Sequence, residues 1–156
     1  MNENEGRAAV IAEAKTWIGT PFKHESRIKG AGCDCGEFLI ACYSAAGLMP
    51  DYNPPHVPEQ WHLHKDAPGF DPEMYLRQIE KFAHEIPANP GPGDIAMFWW
   101  GHAYSHSAIV VRWPTELVHC FFVAGVQFVN AEIDPYLKRF RWAHPPRFFS
   151  VFGPPR

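Results

Sequence analysis

The feature that most constrains the fold is a change of period at Pro90-Gly91-Pro92-Gly93-Asp94. Before this turn, apolar residues recur at spacings of three and four. After it they fall into short β-branched and aromatic runs. Val10, Ile11, Ala14, Trp17 and Ile18 predict a helix over about residues 7–18, stopped by Gly19-Thr20-Pro21. The polar stretch 23–32 reads as a loop. Phe38, Leu39, Cys42, Tyr43 and Ala46 form the stripe of a second helix that begins near Asp34 and ends at Gly47. A third helix is expected after Asp71-Pro72, with Met74, Tyr75, Ile79 and Phe82 on one side. Residues 50–70, rich in proline and histidine, read as an ordered insertion. Strands are expected at Ile95–Trp100, Ser107–Val111, Leu117–Val123, Val126–Val129 and Arg147–Phe152. Helices first and strands later make an α+β fold with an antiparallel sheet.

The length of 156 residues suits one domain spanning 1–156. A net charge of -3 excludes a general polyanion binder, so no nucleic acid partner is expected. The longest apolar runs fall well short of the ~20 residues of a membrane span. The polar, acidic start Met-Asn-Glu-Asn-Glu-Gly-Arg gives no secretory signal, so cytoplasmic synthesis is expected. The four cysteines, Cys33, Cys35, Cys42 and Cys120, are then expected as free thiols. Nothing in the sequence calls for a cofactor.

Asp34-Cys35-Gly36-Glu37 carries the chemistry. Asp34 is a good N-cap, and Glu37 three residues on gives a capping-box-like pattern. Cys35 is then the first residue of its helix, where free N–H groups and the positive end of the dipole favour a thiolate. It also heads the apolar stripe and faces the sheet. The alternative for Cys35 is a small buried core thiol.

A thiol nucleophile needs a base, and the base an orienter. His106 shares a strand face with Ala108 and Val110, and His119 with Leu117 and Phe121. A hairpin turning near Arg112-Trp113 sets the two imidazoles opposite each other on one face. The expectation is a Cys–His–His set with Cys35 as nucleophile, His106 as base and acid, and His119 as orienter. A metal site of Cys33, Cys35, His106 and His119 is the rival, although the C-x-C spacing suits tetrahedral zinc poorly.

Several segments in order resemble the NlpC family of papain-like cell-wall cysteine peptidases. They are Gly19-Thr20-Pro21-Phe22, Cys33-Asp34-Cys35-Gly36, Pro92-Gly93-Asp94-Ile95 and Ser105-His106-Ser107-Ala108-Ile109-Val110-Val111, followed by His119. Gly19-Thr20-Pro21-Phe22-Lys23-His24, Lys29–Cys35 and the ending Arg147–Phe152 are most similar to the phage and gene-transfer-agent branch of these peptidases. The resemblance spans about residues 10–153. It implies an NlpC-type fold with helices packed on a central antiparallel sheet. It also implies hydrolysis of an amide in the peptidoglycan stem peptide, without a metal. Phage tail proteins would be partners, in a virion-associated enzyme acting on the cell wall. The Cys35 N–H would serve the oxyanion, and Phe22, His24, Asp34 and Ser105 would lie on the substrate side. Other relatives of the fold act on lipid or other amides.

The sequence departs from the family at three places. Gly36-Glu37 replaces Ser-Gly, which adds charge near the sulfur. Phe22 stands where many members carry tyrosine, and His24 could supply the missing polar group. Residues 49–90 form a longer insertion than the minimal domain has. Trp61, His62 and His64 could line a groove or pack within their own loop. Trp99, Trp100, His102 and Tyr104 could rim the cleft or be ordinary strand and turn residues. Cys33 and Cys42 read as packing thiols, and Cys120 alternates away from His119. Arg139, Arg141 and Arg147 read as a solvated basic face.

Overall fold

The computed structural model describes residues 1–154. Helix α1 (Glu3–Thr16) begins four residues before the expected start near residue 7. Its start is set by a capping box rather than by periodicity: the Asn2 side chain accepts from the Glu5 N–H and the Glu5 carboxylate accepts from the Asn2 N–H. The predicted loop contains a two-strand ribbon, β1 (Arg27–Ile28) with β2 (Gly32–Cys33). Helix α2 (Cys35–Ala45) follows at once. The insertion contributes a single 3-10 turn at Trp61–Leu63 and the short helix α3 (Met74–Glu80).

The remaining strands are β3 (His84–Ile86), β4 (Ile95–Trp100), β5 (Ala103–Arg112), β6 (Glu116–Phe121), β7 (Gly125–Val129) and β8 (Arg147–Ser150), with a four-residue helix α4 (Pro135–Lys138) before β8. They form one six-stranded antiparallel sheet in the order β3-β8-β4-β5-β6-β7. The sequence pattern does not mark β3, a three-residue edge strand. It is held by pairing with β8 and by a forked ion pair between Arg147 and Glu85.

Period-two alternation divides the sheet's side chains between two cores. Ile95, Met97, Ile109, Val118 and Phe149 pack with Val10, Ala14 and Trp17 of α1 and with Phe38, Leu39 and Cys42 of α2. Ala96, Phe98, Ala108, Val110 and Leu117 face the other way, toward Leu137 of α4. The Gly19-Thr20-Pro21 segment docks beside β7 through two backbone hydrogen bonds, from the Gly19 N–H to Val126 O and from the Val126 N–H to Thr20 O. Gly125 makes this close approach possible. It adopts φ +75°, and a Cβ there would lie 2.2 Å from Thr20 O.

The β5–β6 hairpin carries a register shift between Val110 and Arg112, with Ile109 opposite Val118. Continued by one residue, that register sets His119 against Ala108. His119 is therefore diagonal to His106 on one face rather than directly across from it. The bulge adds a residue to one strand that the expected tight turn did not include. Among the described residues, no helix is long and apolar enough to cross a membrane.

Candidate active site

The sulfur is placed by a local device. The Asp34 carboxylate accepts from the Glu37 N–H at 2.8 Å, so α2 begins at Cys35. The reciprocal half of the expected capping box is absent. Glu37 is buried and turns to Arg27, 3.2 Å away. The second Asp34 oxygen accepts from the Glu25 N–H.

The imidazoles are placed by a long-range device. His106 on β5 and His119 on β6 are both buried, with His106 Nε2 2.8 Å from His119 Nδ1. Phe98 and Tyr136 contact the His106 ring, and Phe121 stacks parallel to His119.

A cleft of about 440 Å³ joins the two devices, within the usual range for small-ligand pockets. Cys35 and His106 both line it, with Phe22, His24, Asp34 and Ser105. His119 stands behind His106 and does not line the cleft. Ser105 turns its hydroxyl away, to Trp100 O, and offers its carbonyl to the site. His24 Nε2 is 2.7 Å from Val57 O, which holds the insertion across the opening. Arg27 does the same through Asp51 and Asn53.

Electrostatics and protons follow from this burial. Enclosure, reinforced by the Asp34 charge, pushes the Cys35 thiol up to about 12. At that value the resting sulfur keeps its proton, whereas a helix start by itself favours a thiolate. Its hydrogen-bond contact is the Ser105 carbonyl at 3.7 Å, not an imidazole. Burial also holds His106 well below the ordinary imidazole range, helped by His119 and His62. Burial takes His119 down to about 4, partly opposed by Asp134. The resting set is therefore uncharged.

The tautomers are coupled. With Nε2 engaged by His119, His106 keeps Nδ1 toward the cleft; it is not among the enclosed atoms without a partner. For Nδ1 to accept a proton, Nε2–H must donate to His119 Nδ1. His119 then carries its own proton on Nε2, an enclosed atom without a hydrogen-bond partner. The pair can present a base to the cleft at the cost of one orphaned donor.

The thiols of the rival metal site do not converge. Cys33 Sγ packs 3.7 Å from Cys120 Sγ on the helix side of the sheet, while the imidazoles lie with the opposite core. Among the described residues, no three His, Cys, Asp or Glu side chains are grouped to hold a metal ion. Trp61 and His62 line the cleft, whereas His64 does not. Trp99, Trp100 and Tyr104 lie outside it. Trp99 stacks on His144, Trp100 packs on Tyr136, and Tyr104 donates to Pro145 O. Of the basic trio, Arg147 is tied to Glu85, and Arg139 and Arg141 lie over the Trp100 and Trp142 rings.

Tyr75 and Tyr136 also line the cleft. Tyr75 belongs to the apolar stripe of α3, so periodicity marks it as core. Tyr136 follows Asp134-Pro135, a helix-start signal in a segment with no apolar pattern to place it.

No known family's sequence model matches this chain, and no curated protein sequence does. Solved structures do match. The chain resembles the NlpC/p60 domain of the peptidoglycan hydrolase SagA with a TM-score of 0.54 at 17% identity, covering 94% of this chain and 98% of that one. It also resembles an NlpC/p60 family protein from Bacillus cereus, with a TM-score of 0.58 at 16% identity over 84% of this chain. NlpC1 from Trichomonas vaginalis gives 0.59 at 15% identity over 87%. The chain spans 37% and 42% of the length of those last two proteins. At these identities the likeness is one of fold: helices packed on an antiparallel sheet in the NlpC/p60 manner.

Proposed function

We propose that this chain is a cysteine hydrolase that cuts an amide bond in peptidoglycan stem peptides. One observation carries the reading. A cysteine at a capped helix start shares a cleft with a histidine whose far nitrogen is bonded to a second histidine. The NlpC/p60-like fold supports the substrate class.

Because the resting thiol and imidazoles are neutral, the proton moves only when substrate fills the cleft. Cys35 S–H gives its proton to His106 Nδ1 as the sulfur attacks the amide carbonyl. The imidazolium is held by His119 Nδ1, which accepts from Nε2–H. The Cys35 N–H, not used by the Asp34 cap, donates to the carbonyl oxygen as it becomes an oxyanion. His106 returns the proton to the leaving amine. A water that loses a proton to His106 then releases the acyl group and restores the thiol. Phe22, His24, Asp34 and Ser105 flank the peptide in the cleft.

The resemblance of residues 29–35 and 147–152 to the phage branch supports a tail-associated enzyme, made in the host and acting on the wall outside. A second reading is an inactive wall-binding or tail-assembly module. The absence of a Cys35–imidazole hydrogen bond at rest favours it. Purified peptidoglycan is incubated with the wild-type protein and with Cys35→Ala, and released peptides are identified by mass spectrometry. Soluble peptides from the wild type alone support the hydrolase. Equal release, or none from either, overturns it in favour of the module.

A further inference from the structure

In the proposed step the new thiolate has one donor, the imidazolium Nδ1–H that has just taken its proton. At rest the sulfur faces the Ser105 carbonyl, an acceptor suited to an S–H donor. Once the proton leaves, the sulfur becomes an acceptor itself, set against that carbonyl and the Asp34 charge. A second donor, neutral and fixed, offsets them, and the insertion delivers one.

Tyr75, on α3, reaches the cleft beside the start of α2. Its hydroxyl is 2.5 Å from Ser107 Oγ. A Cβ built on Gly36 would lie 3.5 Å from that hydroxyl and 3.7 Å from Cζ, so the phenol rests on the residue next to Cys35. Ser107 is fully buried on β5, one residue beyond His106. Tyrosine and serine bring one O–H proton each, and the bond between them uses one. The other is left over, in the cleft that Cys35 also lines.

We propose that Tyr75 is a catalytic residue whose O–H, oriented by the Ser107 hydroxyl, donates to the Cys35 sulfur as the thiolate forms. The inference rests on Cys35 being the nucleophile of the preceding section. The proton ledger is simple. Cys35 loses its proton to His106, Ser107 O–H donates to Tyr75 Oη, and Tyr75 keeps its proton while sharing it with sulfur. Burial and the neighbouring Cys35 hold the phenol well above its ordinary range, so it stays a donor at any working pH. The Tyr75 and Ser107 hydroxyls pull the thiol down against desolvation and Asp34, in the direction this role requires.

This gives the insertion a chemical task. Residues 49–90 wall the cleft and also bring a hydroxyl, which Phe22, also in the cleft lining, cannot provide.

The test reads the sulfur directly and needs no substrate. Wild type, Tyr75→Phe and Ser107→Ala are treated with iodoacetamide from pH 7 to 10, and modification of the Cys35 peptide is timed by mass spectrometry. Circular dichroism checks each fold. Tyr75→Phe is expected to slow Cys35 alkylation about tenfold at a given pH and to move its rise to higher pH, the scale of a hydrogen bond to a charged group. Ser107→Ala should shift it the same way by less, because Tyr75 keeps its proton but loses its anchor. If Tyr75→Phe does not fold, Ser107→Ala carries the test, and an unshifted profile there overturns the proposal. Alkylation of folded Tyr75→Phe at the wild-type rate overturns it as well. So does a full loss on Ser107→Ala with none on Tyr75→Phe, which makes serine the donor. Failure to cut peptidoglycan would sink the hydrolase reading and leave this measurement intact.

Discussion

The two halves of the candidate site are held in opposite ways. Cys35 is placed by its immediate neighbours: Asp34 caps the helix across three residues, and the sulfur opens onto a cleft. The imidazoles are placed by strand pairing across a bulged hairpin, thirteen residues apart, and are buried. A short-range device tolerates changes that keep the cap. A long-range device concentrates its requirements in two side chains that nothing else can position. The thiol half should therefore be tunable and the imidazole half brittle.

Removing a reacting group is the coarsest way to break this contrast, because it destroys either half equally. Cys35→Ala and His106→Ala should each lower peptidoglycan hydrolysis by about 10³-fold or more, and the double variant should be little worse, since the groups act as one unit. Release of soluble peptide measures all three. His119→Ala separates the halves. It leaves both reacting groups in place but frees the His106 ring, and a loss of about 10²-fold in kcat with KM little changed is expected. His119→Asn, which can still accept from His106 Nε2–H, should recover part of it.

The imidazole half should also show itself in stability. His119 falls from an ordinary value of 6.5 to about 4 in the fold, and burial holds His106 well below the same ordinary value. The unfolded chain therefore binds more protons than the folded one between these values, and stability rises with pH. The contribution is complete above about pH 6.5 and is lost as the pH drops toward 4. For His119 it is on the order of 3 kcal/mol. Urea unfolding of wild type and His119→Gln at pH 7 and pH 4.5 measures it; the variant should lose less on acidification.

The same contrast explains what could be read from the amino acids. The start of α2 was legible because Asp34 and the stripe from Phe38 to Ala46 are local. So was the shared face of His106 and His119, since alternation needs only parity. The register was not, because a bulge at Val110–Arg112 follows from packing across the sheet rather than from any residue type. Neither was β3, whose three residues gain their state from Phe148–Ser150 of β8. For the charge state, the local sequence and the finished cleft point in opposite directions. A helix terminus is set by neighbouring residues, whereas desolvation depends on the walls of the finished cleft. Most of those walls come from residues 49–90, where proline and histidine carry no period. Tyr75 was visible as an apolar-stripe residue, but its hydroxyl gains a role only when α3 meets β5.

The mildest change sharpens the comparison most. Asp34 does two opposing things to Cys35: its carboxylate caps the helix, and its charge raises the thiol. Asp34→Asn divides them. Asparagine caps as well as aspartate, so the Glu37 N–H keeps its acceptor and α2 keeps its start. The bond from the exposed Glu25 N–H is the one at risk, at a loop with little to lose. With the charge gone, the Cys35 sulfur should ionise more readily and alkylate roughly threefold faster at pH 8, the scale of one partly screened charge nearby. Asp34→Ala removes both terms and should lower stability by about 1 kcal/mol while giving a similar or smaller gain in reactivity. Equal alkylation rates for wild type and Asp34→Asn would mean that burial alone sets the thiol and that the cap's charge is immaterial. A slower Asp34→Asn would mean that the carboxylate helps the sulfur ionise, and that the thiol half is as brittle as the imidazole half.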